Sequence, residues 1–236
     1  NPKTTQLLAS SLRTFFDFLS ITNRIKFSLR DAVPTVPCRR LSSIPKYLND
    51  EQLECLLSSF NLSSSLGLRD RAMALLMARL GLRCGEVSQL KLEDLNWRQG
   101  IIMIKKNKSR QEFSLPLSRE VGKALTSYLK KGRPKIKERQ IFLTKSKPYE
   151  RPLSATGVGT AIRRAFKRCI PTIPFYSAHS LRHTLATQLL NKGATLKQIA
   201  DILHHRSIET TNIYAKVDLK QLSEVALPFP EVQYEI

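Results

Sequence analysis

The chain has 236 residues, of which 42 % are hydrophobic and 7 % aromatic, a composition typical of a folded globular protein and not of a disordered one. No apolar run approaches the roughly 20 residues that a membrane-spanning helix needs, and the first residues show no signal-peptide pattern. Lys and Arg number 39 against 19 Asp and Glu, which gives a net charge of +20 and makes a polyanion the expected partner.

The N-terminal part of the chain predicts one amphipathic helix followed by an extended linker. Residues 6–20 carry apolar side chains at helical spacing. Residues 31–45 contain three prolines, each of which fixes its own backbone and restricts the residue before it, together with Arg39 and Arg40. We therefore expect a linker in this stretch and a domain boundary near residue 40.

The remainder of the chain predicts a mainly helical fold. The first helix should begin at a cap formed by Asn49 or Asp50, and the next should end at Gly81, because glycine favours the left-handed backbone that follows many helices. A short helix should begin near Cys84. Later helices are expected from apolar periodicity and from start and stop signals at about residues 118–131, 154–169, 178–192, 196–203 and 208–215.

One β-hairpin with a cationic connection is expected among these helices. The β-branched run 101–104 and the segment 112–117 have the composition of two strands, and the basic segment KKNKSRQ lies between them. Between Arg98 and Arg168 there are 20 basic and 4 acidic residues, so most of the net charge lies in this stretch. A solvated basic face or a binder of anionic lipid would carry similar charge, so charge alone does not identify the partner.

Three short motifs contain residue types that can act on a phosphate. Arg83 stands at the turn between two predicted helices. His179 and Arg182 are three residues apart on one helix, so the imidazole and the guanidinium share a face. His205 precedes Tyr214 by nine residues on the last two predicted helices. Each motif alone has an ordinary explanation, such as a surface arginine or a core tyrosine, whereas the combination is far more specific.

A metal site is not expected. All four histidines lie within 27 residues, and His179 with His183 has the i,i+4 spacing of metal ligands. The segment HSLRH lacks the glutamate of a zinc-protease helix, and no nearby cysteine or carboxylate completes a ligand set. The four cysteines lie far apart, which predicts reduced thiols in a cytoplasmic protein and no disulfide framework. We expect neither a metal nor an organic cofactor.

Three segments contain these motifs and the basic connection of the hairpin: LGLRCGEVSQLKLEDL (80–95), KKNKSRQEFSLPL (105–117) and AHSLRHTLATQLLNKGATLKQIADILHHRSIETTNIY (178–214). In order and spacing they resemble the catalytic domain of the tyrosine recombinase family, which includes phage integrases and Xer-type recombinases. The resemblance covers about residues 40–220. It implies a mainly α fold with a small antiparallel β-sheet and a catalytic domain, with its C-terminal tail, over residues 39–236. Residues 1–38 would be the C-terminal part and linker of a helical, SAM-like core-binding domain.

The resemblance also implies a role for each site residue. Arg83 and Arg182 would hold the non-bridging oxygens of the scissile phosphate, and Tyr214 would attack its phosphorus. His179 would assist proton transfer, and His205 would donate a hydrogen bond to the phosphate. Lys108 would be the acid that protonates the leaving oxygen, with Lys106 as the alternative, and Glu86 would orient the site. The implied contacts to DNA phosphates are Arg39, Arg40, Lys105, Lys106 and Arg110.

The implied activity is site-specific recombination through a 3′-phosphotyrosine intermediate and a Holliday junction. The implied partners are double-stranded DNA with inverted-repeat core sites and three further copies of the chain, forming a homo-tetramer on two synapsed sites. The implied location is the cytoplasm, in association with the nucleoid and without a membrane. Three alternatives stay open: a type IB topoisomerase, a telomere resolvase, and a non-catalytic regulator whose helix-turn-helix lies within residues 194–214.

Two further features bear on these expectations. His204 stands where members of the family usually have a glycine before the final histidine, so it would narrow the local turn or add a phosphate contact. The C-terminal tail, residues 219–236, would dock on a neighbouring subunit or fold back on its own domain, and the sequence favours neither.

Overall fold

The computed structural model describes residues 2–35, 45–105, 112–145, 151–169, 176–204, 211, 213 and 214. The chain divides into two compact units, Asn1–Ser43 and Ile44–Ile236. The division falls within the proline-bearing stretch in which the sequence predicts a boundary. The assignment of residues 1–38 to a core-binding domain stays a prediction.

The N-terminal unit consists of one long helix and a short turn. Helix α1 (Pro2–Ile21) is the predicted amphipathic helix, extended by four residues at its start. A 3₁₀ turn (Arg30–Ala32) occupies the beginning of the stretch that the sequence predicts as an extended linker. The guanidinium of Arg13 on α1 donates hydrogen bonds of 3.0 Å to the carbonyls of Val33 and Pro34. The predicted linker therefore begins with a turn, and the contact of Arg13 with Val33 and Pro34 spans about 20 residues, so it has no local sequence signal.

The C-terminal unit is mainly helical with one small antiparallel sheet, as the sequence predicts. Its described helices are α2 (Asp50–Ser58), α3 (Ser65–Leu80), α4 (Cys84–Gln89), α5 (Arg119–Ser127), α6 (Ala155–Cys169), α7 (Ala178–Asn191) and α8 (Leu196–Ile202). Its strands are β1 (Leu95–Asn96), β2 (Ile101–Lys105) and β3 (Glu112–Pro116). A 3₁₀ turn (Leu92–Asp94) precedes β1, and a π-helical turn (Tyr128–Gly132) continues α5. The helix predicted at 208–215 lies outside the continuously described residues.

The sheet contains the predicted hairpin and one additional strand. Strand β2 pairs with β3 in antiparallel register, with Ile102 opposite Leu115 and Lys105 opposite Glu112. On the other side of β2, Leu95 of β1 pairs with Ile102. Ile102 and Ile104 are buried, so β2 turns one face to the core. The hairpin thus ends at Lys105 and Glu112, and the basic residues 106–111 lie outside the described residues.

Helix α3 is the centre of the core. Its residues 72–78 are all buried, in agreement with a helix that is apolar on every side. Helices α5, α6 and α7 pack against it. A second, smaller cluster joins α7, α8 and the C-terminal part of the described chain through Ala186, Leu190, Ile199, Leu203 and Tyr214.

The two helices that flank the site begin and end at specific residues. Helix α3 ends at Gly81, whose φ of +67° lies in the left-handed region. A Cβ at this position would lie 2.6 Å from Cδ2 of Leu203, so glycine is needed for space as well as for backbone conformation. Helix α7 begins after Ser177, whose N–H donates to Oγ of Ser180 at 3.3 Å. No helix in the described part of the chain combines the length and the apolarity that crossing a bilayer requires.

Candidate active site

The predicted nucleophile is buried and hydrogen-bonded. Tyr214 is 1 % exposed. Its hydroxyl oxygen lies 2.7 Å from Nδ1 of His183, and the centroids of the two rings are 5.6 Å apart. Burial raises the pKa of Tyr214 to about 12, while the positive charges of Arg182 and Arg83 oppose the rise. The hydroxyl is therefore protonated at neutral pH, and it needs a proton acceptor before it can attack.

Helix α7 carries three side chains of the site in its first two turns. His179, Arg182 and His183 are three and four residues apart, a spacing that places them on one side of a helix. The imidazole centroids of His179 and His183 are 4.6 Å apart, with the rings nearly perpendicular. Burial, and to a smaller extent His179 and Arg182, lower the pKa of His183 to about 4. His183 is therefore neutral at pH 7.

His179 faces solvent more than its neighbours on α7 do. Its residue is exposed, whereas Arg182 is buried. Loss of hydration within the site lowers the pKa of His179, and the charges of Arg182 and Arg83 add to that effect. The imidazole is thus neutral at pH 7 and stands on the accessible side of the cluster.

Arg182 holds three elements together. It is 3 % exposed, and its guanidinium donates one hydrogen bond to the carbonyl of Gly81 and another to the carbonyl of Leu203. These carbonyls lie at the ends of α3 and α8, where the last C=O groups of a helix have no partner within the helix. Burial and then the charge of Arg83 lower the pKa of Arg182 to about 10, so the guanidinium stays charged at neutral pH.

Arg83 is positioned by its own turn. It precedes the first residue of α4, and its backbone N–H donates to Oε2 of Glu86 at 2.8 Å. Its Nη1 lies 3.0 Å from Oε1 of the same carboxylate. The side chain of Glu86 is 12 % exposed and that of Arg83 is 39 % exposed. One arginine of the site is therefore enclosed, while the other borders solvent, and Glu86 orients it.

The structure brings together four of the six predicted catalytic residues, namely Arg83, His179, Arg182 and Tyr214. The charge of Arg83 acts on the pKa values of the other three, so all four share one electrostatic environment. The other two predicted catalytic residues and most predicted DNA contacts lie outside the described residues; these are Lys108, His205, Arg39, Arg40, Lys106 and Arg110. Across the described ranges, no group of three or more His, Cys, Asp or Glu side chains is placed to hold a metal ion.

Lys105 is the one predicted DNA contact within the described residues. Its Nζ lies 3.3 Å from Oδ1 of Asp94, a carboxylate that is almost fully buried. The other carboxylate oxygen of Asp94 accepts the backbone N–H of Lys91 at 2.9 Å. Asp94 and Lys105 line a cleft of about 430 Å³ that Glu86 also lines. The pair therefore lies on the same side of the unit as the site.

His204 adopts the conformation for which the family usually has glycine. Its φ is +48°, in the left-handed region that a side chain other than glycine rarely adopts. Its ring packs on Phe113 of β3, with centroids 3.5 Å apart. This contact connects the end of α8 to the hairpin. A phosphate contact of His204 stays a prediction.

Among the described residues, His183 is one that contacts the predicted nucleophile without having been predicted at the site. It stands out in the sequence only as a metal-ligand partner of His179, whereas in the structure its Nδ1 contacts the hydroxyl of Tyr214. The sequence does contain one signal for it. Residues four apart on a helix share a face, so His183 is expected on the same side of its helix as His179, which is a predicted site residue. The contact itself could not be predicted, because 31 residues separate His183 from Tyr214 in the sequence.

Comparisons with known proteins agree with this arrangement. The sequence pattern of the phage integrase family matches residues 46–221. The integrase/recombinase y4rA of Sinorhizobium fredii is 39 % identical over 230 residues, covering 98 % of this chain and 56 % of that protein. The tyrosine recombinase XerD of Listeria innocua is 32 % identical over 234 residues, covering 97 % of this chain and 76 % of that protein.

A solved structure of the XerH site-specific recombinase bound to a palindromic difH substrate, in a post-cleavage complex, superposes with a TM-score of 0.68. It is 25 % identical, and the match covers 83 % of this chain and 56 % of that one. The chain spans about half the length of y4rA and of a second S. fredii relative. The matched range and the shared fold show that the chain belongs to the phage integrase family of tyrosine recombinases.

Proposed function

We propose that the protein is a site-specific DNA recombinase that cleaves and rejoins DNA through a 3′-phosphotyrosine intermediate. The observation that carries this proposal is the burial of the Tyr214 hydroxyl within the field of two guanidiniums, those of Arg182 and Arg83. A core tyrosine has no need of two cations, whereas a nucleophile that attacks a phosphodiester does. Family membership and the net charge of +20 support the same substrate.

The chemistry follows from the charges of the site. The oxygen of Tyr214 attacks the phosphorus in line with the 5′-oxygen, the P–O5′ bond breaks, and negative charge builds on the non-bridging oxygens. Preorganised guanidiniums of Arg83 and Arg182 stabilise that charge, and an arginine can do so with two parallel hydrogen bonds. The phosphotyrosine ester replaces one phosphodiester bond by another. A 5′-hydroxyl can therefore reverse the reaction without an external energy source.

Three further groups complete the proposed mechanism. His179 assists proton transfer from the accessible side of the site, and His205 donates a hydrogen bond to the scissile phosphate. The leaving 5′-oxygen takes its proton from Lys108, with Lys106 as the alternative donor. A positioned acid of this kind typically contributes about 10²- to 10⁴-fold to the rate.

The proposed assembly is a homo-tetramer on two synapsed sites, each an inverted repeat, with exchange through a Holliday junction. The palindromic substrate of XerH supports the inverted-repeat expectation. Residues 1–38 would belong to a core-binding domain, and residues 39–236 would form the catalytic domain. The protein would act in the cytoplasm on nucleoid DNA.

Covalent capture of DNA tests the proposal. The full-length protein and its Tyr214→Phe variant would be incubated with fragmented source DNA and denatured in detergent, and the protein-linked fragments would be sequenced. We expect the wild type alone to retain DNA, with fragments that share one inverted-repeat sequence. The variant should still bind DNA, because it lacks only the hydroxyl.

Two other results would lead elsewhere. Fragments from scattered positions without a shared repeat would indicate a topoisomerase. Binding by both proteins without covalent capture by either would indicate a DNA-binding module, and the catalytic assignments would be wrong.

A further inference from the structure

We propose that His183 is a catalytic residue that accepts the phenolic proton of Tyr214 during strand cleavage and returns it during rejoining. The inference rests on the proposed function, since it assigns a second reacting group to the same site. It concerns a histidine to which the family resemblance gives no role, and the contact between the two side chains carries it.

The contact has the geometry of a proton transfer pair. The distance from the Tyr214 hydroxyl oxygen to Nδ1 of His183 is 2.7 Å, within the range in which a general base takes a proton directly. When the phenol donates, Nδ1 carries the lone pair and the proton of the neutral ring is on Nε2. His183 lies on α7 one residue after Arg182, so the base and a phosphate-binding cation share one rigid element.

The charge state of His183 suits a proton acceptor. Within the described part of the chain, the groups around it that carry or can gain charge include His179 and Arg182 on its own helix and Tyr214. The ring is neutral at pH 7 because burial, His179 and Arg182 keep its pKa near 4. A bound phosphate would neutralise positive charge at Arg182, which removes one of the causes that lower the pKa. The basicity of His183 therefore increases when the substrate is present.

The proton and electron balance is simple. In cleavage, the O–H bond of Tyr214 breaks, its electron pair forms the new O–P bond, and the proton passes to Nδ1 of His183. The P–O5′ bond breaks at the same centre, and the 5′-oxygen takes a proton from the separate acid, Lys108 or Lys106. In rejoining, the 5′-hydroxyl gives its proton to the neutral lysine and its oxygen forms the P–O5′ bond, while protonated His183 returns its proton to the phenolate as the O–P bond breaks. No oxidant, reductant or further reactant is needed.

A purely structural role is the alternative to be tested against. A buried tyrosine hydroxyl normally has a hydrogen-bond partner, and His183 would satisfy it without taking part in the reaction. The two roles differ in what the partner must do. An acceptor that holds the hydroxyl suffices for a structural role, whereas only a base can remove its proton.

Two substitutions separate these roles in the full-length protein. His183→Asn places an amide near the position of Nδ1, so it can accept the hydrogen bond without becoming a base. His183→Ala removes the ring and leaves space that free imidazole can enter. Single-turnover covalent cleavage of a labelled recombination site would be measured for both, with DNA affinity as the check on folding. His179→Ala is the matched control, since it removes the neighbouring imidazole from the exposed side.

We expect both His183 variants to bind DNA normally and to cleave about 10²- to 10⁴-fold more slowly than the wild type. Added imidazole should restore cleavage to His183→Ala much more than to His179→Ala, in proportion to its unprotonated fraction. Near wild-type cleavage by His183→Asn would overturn the inference, and so would a slow His183→Ala that imidazole does not restore. A wild type that never links to DNA would instead refute the proposed function itself.

Discussion

Two arginines with the same predicted role are held in different ways. The guanidinium of Arg182 is enclosed and donates to the carbonyls of Gly81 and Leu203, so it connects the ends of two helices to a third. The side chain of Arg83 is 39 % exposed and pairs with Glu86 on its own helix. Arg182 should therefore support both folding and catalysis, whereas Arg83 should support mainly catalysis.

We expect Arg182→Ala to lower the free energy of unfolding by roughly 3 kcal/mol, because hydrogen bonds to charged groups contribute about 1.5–3 kcal/mol each and two buried carbonyls would lose their donor. Arg83→Ala should lower it by about 1 kcal/mol or less, since partly exposed ion pairs contribute little. Both variants should lose covalent capture. Urea unfolding and the capture assay measure the two effects, and equal stability of the two variants would contradict the difference in their roles.

The resemblance of short motifs to a known family indicated which residues gather at the site, and the sequence did not indicate the contacts among them. Arg83, His179, Arg182 and Tyr214 were expected on that ground, and the structure places them together. The hydrogen bond from Arg182 to Gly81 spans 101 residues, and that between His183 and Tyr214 spans 31. Contacts of this kind depend on how helices pack, which no local pattern encodes. For that reason the sequence indicates the charged residues of the site but not the contact between His183 and Tyr214.

Two helix ends were predicted well because a side chain or a glycine defines them. Asn49 caps α2 through the N–H of Gln52, whose side chain in turn accepts the N–H of Asn49. Gly81 ends α3 in the left-handed conformation. Strand β1 was not predicted, since two residues carry no periodicity and it forms only because Leu95 pairs with Ile102. The 3₁₀ turn at Arg30–Ala32 was missed for the same reason, as a tertiary contact stabilises it.

The carboxylate of Asp94 joins the residue before the 3₁₀ turn to the end of strand β2. Its Oδ2 accepts the N–H of Lys91 before the 3₁₀ turn, and its Oδ1 lies 3.3 Å from Nζ of Lys105 at the end of β2. Because Asp94 is buried and Lys105 is more than half exposed, the two partners should not contribute equally. The backbone hydrogen bond is the enclosed part of this arrangement.

We expect Asp94→Ala to lower the free energy of unfolding by about 1–2 kcal/mol, because the partly buried N–H of Lys91 would lose its acceptor. Lys105→Met is the matched change, and it should lower the free energy by at most about 1 kcal/mol, because the exposed ammonium can be replaced by water in the adjoining cleft. Urea unfolding of both variants measures the difference. A larger loss for Lys105→Met would show that the ion pair, and not the backbone contact, fastens the sheet.

The net charge is a property of the whole molecule, and the amino-acid composition alone gives it. A net charge of +20 on 236 residues, concentrated between Arg98 and Arg168, favours DNA over uncharged partners. It carries no information about sequence preference, because contacts to phosphates position a protein without reading bases. The target site therefore has to come from capture experiments, while the strength of the electrostatic contribution can be measured with any DNA that contains the site.

Binding of the full-length protein to its DNA site should weaken steeply as salt rises, because each neutralised phosphate releases counterions. The slope of log affinity against log salt concentration should be about −0.9 for each phosphate contact. Arg110→Ala should make the slope shallower by about one. Lys105→Met should change it less, since the ammonium of Lys105 is already paired with the carboxylate of Asp94. Titrations at several salt concentrations measure the slopes, with Tyr214→Phe as a control that should match the wild type. A nearly flat dependence for the wild type would show that charge does not drive binding.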